Sequence, residues 1–109
     1  METGADNVRA QMRKGVLEYC ILSILSRKEA YASSIIDDLK AVGMMVVEGT
    51  LYPLLIRAKN QGLLSYRWEE STQGPPRKYY MITEKGREQL QQMDQAWSEL
   101  TDAIQTLRK

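Results

Sequence analysis

A mainly α-helical domain with one small β-hairpin, an α+β arrangement, is the fold class this sequence predicts. Three observations predict it. Apolar residues recur at three-and-four spacing in four separate stretches, as amphipathic helices require. Between residues 64 and 82 the pattern switches to strand-like alternation around a turn rich in glycine and proline. The third helical stretch runs directly into that hairpin, and the hairpin's turn ends in Arg77-Lys78.

The elements follow in order. Residues 1–8 are small and polar and are expected to form a flexible N-terminus. From Arg9 to about Ser26 one helix is expected, with Val16, Leu17, Cys20, Ile21, Ile24 and Leu25 as its apolar stripe, widened by Tyr19 and Leu22. Arg9, Arg13 and Lys14 near its start read as a solvated basic face. Tyr31 to Val42 reads as a second helix with Ile35, Ile36 and Leu39 facing inward and Gly43 as its stop. Met44 to Val47 is too short to assign to strand or loop. The third helix carries Leu51, Leu54, Leu55 and Ala58 inward and stops at Gly62. Pro53 belongs in or near its first turn, where a missing backbone donor costs little, so the helix should start close to Gly49 or Thr50.

Leu64, Tyr66 and Trp68 alternate with polar residues, which predicts a strand with one buried face. Ser71 to Pro76 is turn chemistry throughout, and Tyr79 to Ile82 is the returning strand, rich in strand-favouring aromatics. Thr83 can cap a last helix that starts at Glu84. That helix has the cleanest periodicity in the chain. Leu90, Met93, Trp97, Leu100, Ile104 and Leu107 form an unbroken a/d seam with polar residues nearly everywhere else.

A helix followed directly by a basic-tipped hairpin is the layout of a winged helix-turn-helix, in which the helix enters a DNA groove and the hairpin touches flanking backbone. The organisation expected is a winged helix-turn-helix domain over residues 9–83 and a C-terminal dimerisation helix over residues 84–109. A narrow seam with no later element to cover it must bury itself against the first helix or another chain. Thr50, Tyr52 and Arg57 are the candidates for groove contacts, and Lys59, Arg77 and Lys78 for phosphates.

Composition bounds the remaining possibilities. A chain of 109 residues with 43% hydrophobic and 27% charged residues suits one globular domain. Net charge is only +1, but residues 48–87 hold seven cations against four carboxylates, whereas residues 88–109 hold two against four. A basic middle and an acidic tail suggest that one face meets an anion. The sequence has no histidine and one cysteine, which removes imidazole bases, histidine metal sites and thiolate clusters. Glu69-Glu70 and Asp37-Asp38 are adjacent pairs that solvent exposure explains. An enzyme is therefore not expected, and neither is a cofactor or a metal. The lone Cys20, the lack of an apolar span and the lack of a leader fit a cytoplasmic protein with no membrane partner.

Several segments resemble the PadR family of bacterial transcriptional regulators, over roughly residues 12–107. RKGVLEYCILSIL (Arg13 to Leu25) is similar to that family's first helix. GTLYPLLIRAKNQGLL (Gly49 to Leu64) is similar to its recognition helix, and PPRKYYMITEKGREQL (Pro75 to Leu90) to its wing, returning strand and dimerising helix. The resemblance implies a homodimer that binds an inverted-repeat operator in double-stranded DNA, usually as a repressor. QAWSEL (Gln95 to Leu100) resembles the multidrug-binding members, in which paired tryptophans at the position of Trp97 sandwich a planar hydrophobic effector. Three positions depart from the family pattern: the turn around Tyr31 lacks glycines, Ala58 replaces a leucine, and Pro75-Pro76 replaces a more basic wing tip. The rival functions are a protein-binding adaptor that kept the fold but reads no DNA, and a drug-sequestering protein.

Overall fold

Five helices and one antiparallel hairpin make up the computed structural model, which describes residues 4–109. The order is α1 (Gly4–Lys14), α2 (Leu17–Leu25), α3 (Ala32–Ala41), α4 (Glu48–Asn60), β1 (Leu64–Ser71), β2 (Gly74–Ile82) and α5 (Glu84–Leu107). The N-terminal expectation needs correcting on two points. Helix begins at Gly4, so residues 4–8 are helical, and residues 1–3 lie outside the described part. The single helix expected from Arg9 to Ser26 is two helices, broken at Gly15-Val16, where Val16 sits at φ −119° and ψ 1°. Glycine is a poor helix former and a β-branched residue follows it. The break lets Leu17, Ile21, Leu22 and Leu25 turn into the core while α1 buries no residue at all.

Both glycine stops do what the sequence asks of them. Gly43 and Gly62 have φ of 84° and 80°, the left-handed conformation that a side chain resists. After α3, Gly43 N–H donates to the Lys40 carbonyl and Met44 N–H to that of Leu39. After α4, Gly62 donates to Lys59 and Leu63 to Ala58. These crossed pairs are Schellman caps, and they satisfy carbonyls that a bare helix end would leave open.

The core sits where α2, α3, α4 and the base of the hairpin meet. Ile21, Leu22, Ile35, Leu39, Leu51, Leu55 and Leu64 are its fully buried large side chains, and Ala58 is buried beside them. At Ala58 a small residue therefore sits inside the packing. β1 and β2 pair from Leu64↔Ile82 to Glu69↔Arg77, with an irregularity before Ser71↔Gly74. Ala30 adds a third strand position, exchanging backbone hydrogen bonds of 3.1 and 2.8 Å with Tyr80. The loop expected over Ser71 to Pro76 shrinks to Thr72-Gln73, because Pro75 and Pro76 lie at the exposed start of β2. Prolines are tolerated there, at the first residues of an edge strand.

Helix α5 is locked at its first turn. The Thr83 hydroxyl accepts from Gly86 N–H at 3.0 Å and donates to the Gly62 carbonyl at 2.6 Å, joining the α5 cap to the end of α4. Gly86 is the one residue of α5 that is buried. Leu90 and Met93 pack half-buried on the core, and after Trp97, whose ring lies 6.2 Å from that of Tyr19, the rest of the helix is mostly exposed. Its 24 residues span about 36 Å at 1.5 Å per residue. The radius of gyration, 15.8 Å, exceeds the value of about 13 Å expected for a compact chain of this length, as projecting helices require.

Candidate nucleic-acid interface

Helix α4 has three sides with different surroundings. Leu51, Leu55 and Ala58 face the core. Glu48, Tyr52 and Ile56 face the hairpin and line a cleft of about 490 Å³ with Trp68, Pro76, Lys78 and Tyr80. Thr50 faces α1 and lines a cleft of about 540 Å³ with Gln11, Arg13, Lys14 and Leu17. Pro53 is the sixth residue of the helix, one or two residues deeper than the sequence suggested, because α4 starts at Glu48. It has no N–H to give to the Gly49 carbonyl four residues back. Apart from its chain neighbours and the helix's own backbone, no atom stands within 4 Å of where a Gly49 Cβ would be, so this face is bare at the exposed start of α4.

The six residues singled out for DNA contact do not form one patch. Tyr52, Arg77 and Lys78 share the cleft between α4 and the hairpin. Thr50 stands on the opposite flank, beside Arg13 and Lys14. Lys59 lies further along α4 with its ammonium 5.9 Å from the centre of the Tyr66 ring. Arg57 is elsewhere: its guanidinium pairs with Glu18 at 3.2 Å in a recess that also holds Tyr19, Met93, Trp97 and Leu100. Its position beside the seam, with a carboxylate already on it, suits bracing α4 against α2 better than reaching a groove.

Arg77 and Lys78 are not at the hairpin tip, which corrects the expectation of a basic-tipped turn. Both lie within β2, opposite Glu69 and Trp68, and so on opposite faces of the ribbon. The Arg77 guanidinium stacks 3.9 Å from the centre of the Tyr31 ring and donates to the Ser33 hydroxyl at 3.3 Å. Tyr31 in turn donates to Glu69 at 2.8 Å and meets Tyr79 edge-on with centroids 4.9 Å apart. That hydrogen bond to Glu69 raises the Tyr31 hydroxyl's pKa above its ordinary value. Arg67 completes the group, stacked 4.5 Å from the Tyr79 centroid and bonded to Glu29 at 2.9 Å. Glu69, which solvent alone seemed to explain, is therefore a structural link between the hairpin and the start of α3.

Five residues at these two clefts leave little trace in the sequence. Tyr31 and Ser33 look like ordinary residues at a helix start, and only the Ala30–Tyr80 bridge brings them to the hairpin. Arg13 and Lys14 read in sequence as a solvated face, and the fold sets them beside Thr50. Trp68 shares the alternation of Leu64 and Tyr66, but burial fades along β1 and leaves it 60% exposed.

The last six residues singled out, the α5 seam, divide in two. Leu90 and Met93 pack on the chain's own core. Trp97, Leu100, Ile104 and Leu107 are exposed, Trp97 at 46% and Leu107 at 84%. Trp97 borders a recess of about 320 Å³ with Tyr19, Met93, Ala96 and Leu100, its ring 6.2 Å from that of Tyr19 and tilted by 57°. The Tyr19 hydroxyl donates to Asp94, which ties α2 to α5 and raises the hydroxyl's pKa. Among the described residues no cluster of metal-ligating side chains occurs, and no helix is long and apolar enough to cross a membrane.

A helix-turn-helix whose exposed helix leads into a cation-bearing hairpin defines a winged-helix, DNA-binding domain. Residues 21–92 match the transcriptional regulator PadR-like family, and the chain belongs to that family. It is 57% identical to a PadR-like transcription factor from Bacteroides fragilis, covering 94% of this chain and 99% of that one with a TM-score of 0.80. A PadR-like transcriptional regulator from Bacillus cereus is 42% identical over 91% of this chain and 97% of its own, with a TM-score of 0.79. A PadR family regulator from Eggerthella lenta is 32% identical over 96% and 92%, with a TM-score of 0.90. The family is one of transcription regulators, not of enzymes, and it makes this chain a DNA-binding regulator.

Proposed function

We propose that the protein is a homodimeric repressor that binds an inverted-repeat operator, and that a small planar hydrophobic effector at the dimer interface relieves binding. The single observation that carries this reading is the bare end of α5. Four large apolar residues on one seam, Trp97, Leu100, Ile104 and Leu107, are each left 44–84% exposed by their own chain. Helix α1 adds Val8 and Met12, the latter 70% exposed, as a second uncovered apolar strip. Pairing of α5 with its copy, packed on the partner's first helix, would remove both surfaces from water. A two-fold pairing repeats every contact, so the two Trp97 rings would come close to one another. Their recesses, lined by Tyr19, Met93 and Leu100, suit a flat aromatic molecule.

In such a dimer the two α4 helices should sit about 34 Å apart, one turn of duplex. An effector wedged between the α5 helices would change that spacing, with a coupling on the order of 1–3 kcal/mol. Titration with planar dyes tests the effector claim through Trp97 emission. Saturable quenching that is absent in Trp97→Phe is expected, and the operator affinity should fall as the dye saturates. An unquenched signal at high dye concentration would remove the effector from this reading.

Cations in the hairpin should show in the salt dependence of DNA binding. Each phosphate contact adds roughly one unit to the slope of log affinity against log salt. Arg77→Ala is expected to flatten that slope by about one unit, measured by fluorescence anisotropy with the DNA upstream of the protein's own gene. An unchanged slope would take Arg77 out of the phosphate set and leave it as a brace between the hairpin and α3.

A further inference from the structure

We propose that Trp68 is a DNA-contacting residue: its exposed ring, with Tyr52 and Ile56, forms an apolar shelf between α4 and the hairpin on which the sugar edge of the duplex backbone rests. This deepens the operator-binding reading above and rests on it. Trp68 is 60% exposed, Ile56 55% and Tyr52 42%, and all three line the same cleft. The cleft lies between the helix that enters the groove and the hairpin that flanks it, so it opens on the side where the nucleic acid must lie.

The local geometry holds the ring in place. Trp68 meets Tyr66 edge-on, with centroids 6.0 Å apart and planes at 85°. Lys78, its partner across the ladder, places its ammonium 5.5 Å from the Trp68 ring and 4.6 Å from the Tyr66 ring. A cation over a ring is attracted by the ring's negative face, which fixes both groups without burying either. Arg77 and Lys78 border the cleft against one carboxylate, Glu48. A shelf that is apolar at its floor and cationic at its rim matches the duplex backbone, where deoxyribose carbons alternate with phosphates. It fits a second copy of this chain poorly, because two such rims would repel.

Trp68 and Trp97 are the two tryptophans of the chain, so emission can be assigned by substitution. Addition of operator duplex at low salt should change wild-type emission until binding saturates, and Trp68→Phe should abolish that change. Trp68→Ala should weaken operator binding by about ten-fold, the loss expected for one aromatic contact, with the salt slope unchanged. Since the ring is largely in solvent, its thermal melting should stay at the wild-type temperature. Wild-type anisotropy keeps the two claims apart. If the duplex binds but emission and Trp68→Ala affinity stay at wild-type values, this proposal fails and operator binding stands. If no duplex binds, both fail. Emission that follows protein concentration and not duplex would assign the shelf to a second copy and overturn the proposal.

Discussion

Leu100→Glu is expected to turn the protein into a monomer at micromolar concentration and to weaken operator binding by on the order of 10²- to 10⁴-fold. Leu100 lies midway along the exposed part of the α5 seam and is 56% exposed in the single chain. In a two-fold pairing a carboxylate there would face apolar partners and its own copy, and neither can satisfy it. The protomer should survive, because the core residues of α2, α3 and α4 do not depend on Leu100. Loss of operator affinity then follows from linkage: two reading heads on one particle bind with an effective concentration that separate protomers lack. Sedimentation velocity reads the first effect and anisotropy the second. An unchanged dimer would move the interface away from α5. A monomer with undiminished affinity would separate DNA binding from dimerisation.

Gly86→Ala is expected to destabilise the protein by about 3 kcal/mol or more, at the upper end of the cost of overfilling a packed site. A Cβ at residue 86 would stand 2.2 Å from the Leu63 carbonyl oxygen and 2.7 Å from Ile82 Cγ1. The oxygen is backbone and cannot swing aside, so α5 must lift from the end of α4. At this chain length such a loss lowers the melting temperature by roughly 10–20 °C at fixed protein concentration. Glu88→Ala, an exposed change two residues along the same helix, is the control and should melt close to wild type. A Gly86→Ala variant as stable as wild type would mean that α5 is not seated against Leu63 and Ile82. The consequence reaches function, since the seat of α5 sets the angle at which the seam leaves the domain.

Much of this architecture is legible in the sequence because local chemistry and tertiary role agree. The seam of α5, the caps at Gly43, Gly62 and Thr83, and the inward face of α4 each follow from spacing or from a residue type suited to one conformation. The break at Gly15-Val16 was hidden because the apolar spacing of α2 alone looked continuous with the polar start. Only the direction in which α1 leaves the body shows that it buries nothing. The hairpin tip is ambiguous in sequence for a related reason: Pro75 and Pro76 are turn residues by composition, yet an edge strand accepts them when their missing donors face solvent.

The candidate site was less legible than the fold. Tyr52, Arg77 and Lys78 do gather in one cleft, but Arg57 is engaged by Glu18, from a helix about forty residues earlier in the chain. Tyr31 and Ser33 reach Glu69 and Arg77 of the hairpin through the bridge between Ala30 and Tyr80. Contacts of that sequence separation leave no periodic trace. Trp68 shows the complementary failure, since alternation gives the face of a strand residue but not how far along the strand the covering layer extends.

The most direct test of the two-fold reading is a footprint of the purified protein on the DNA upstream of its own gene, at low salt. Two protected half-sites in inverted orientation, with centres about 34 Å or one helical turn apart, are expected. Protection of one isolated half-site, or of none, would contradict the claim that α5 joins two copies into a paired DNA reader.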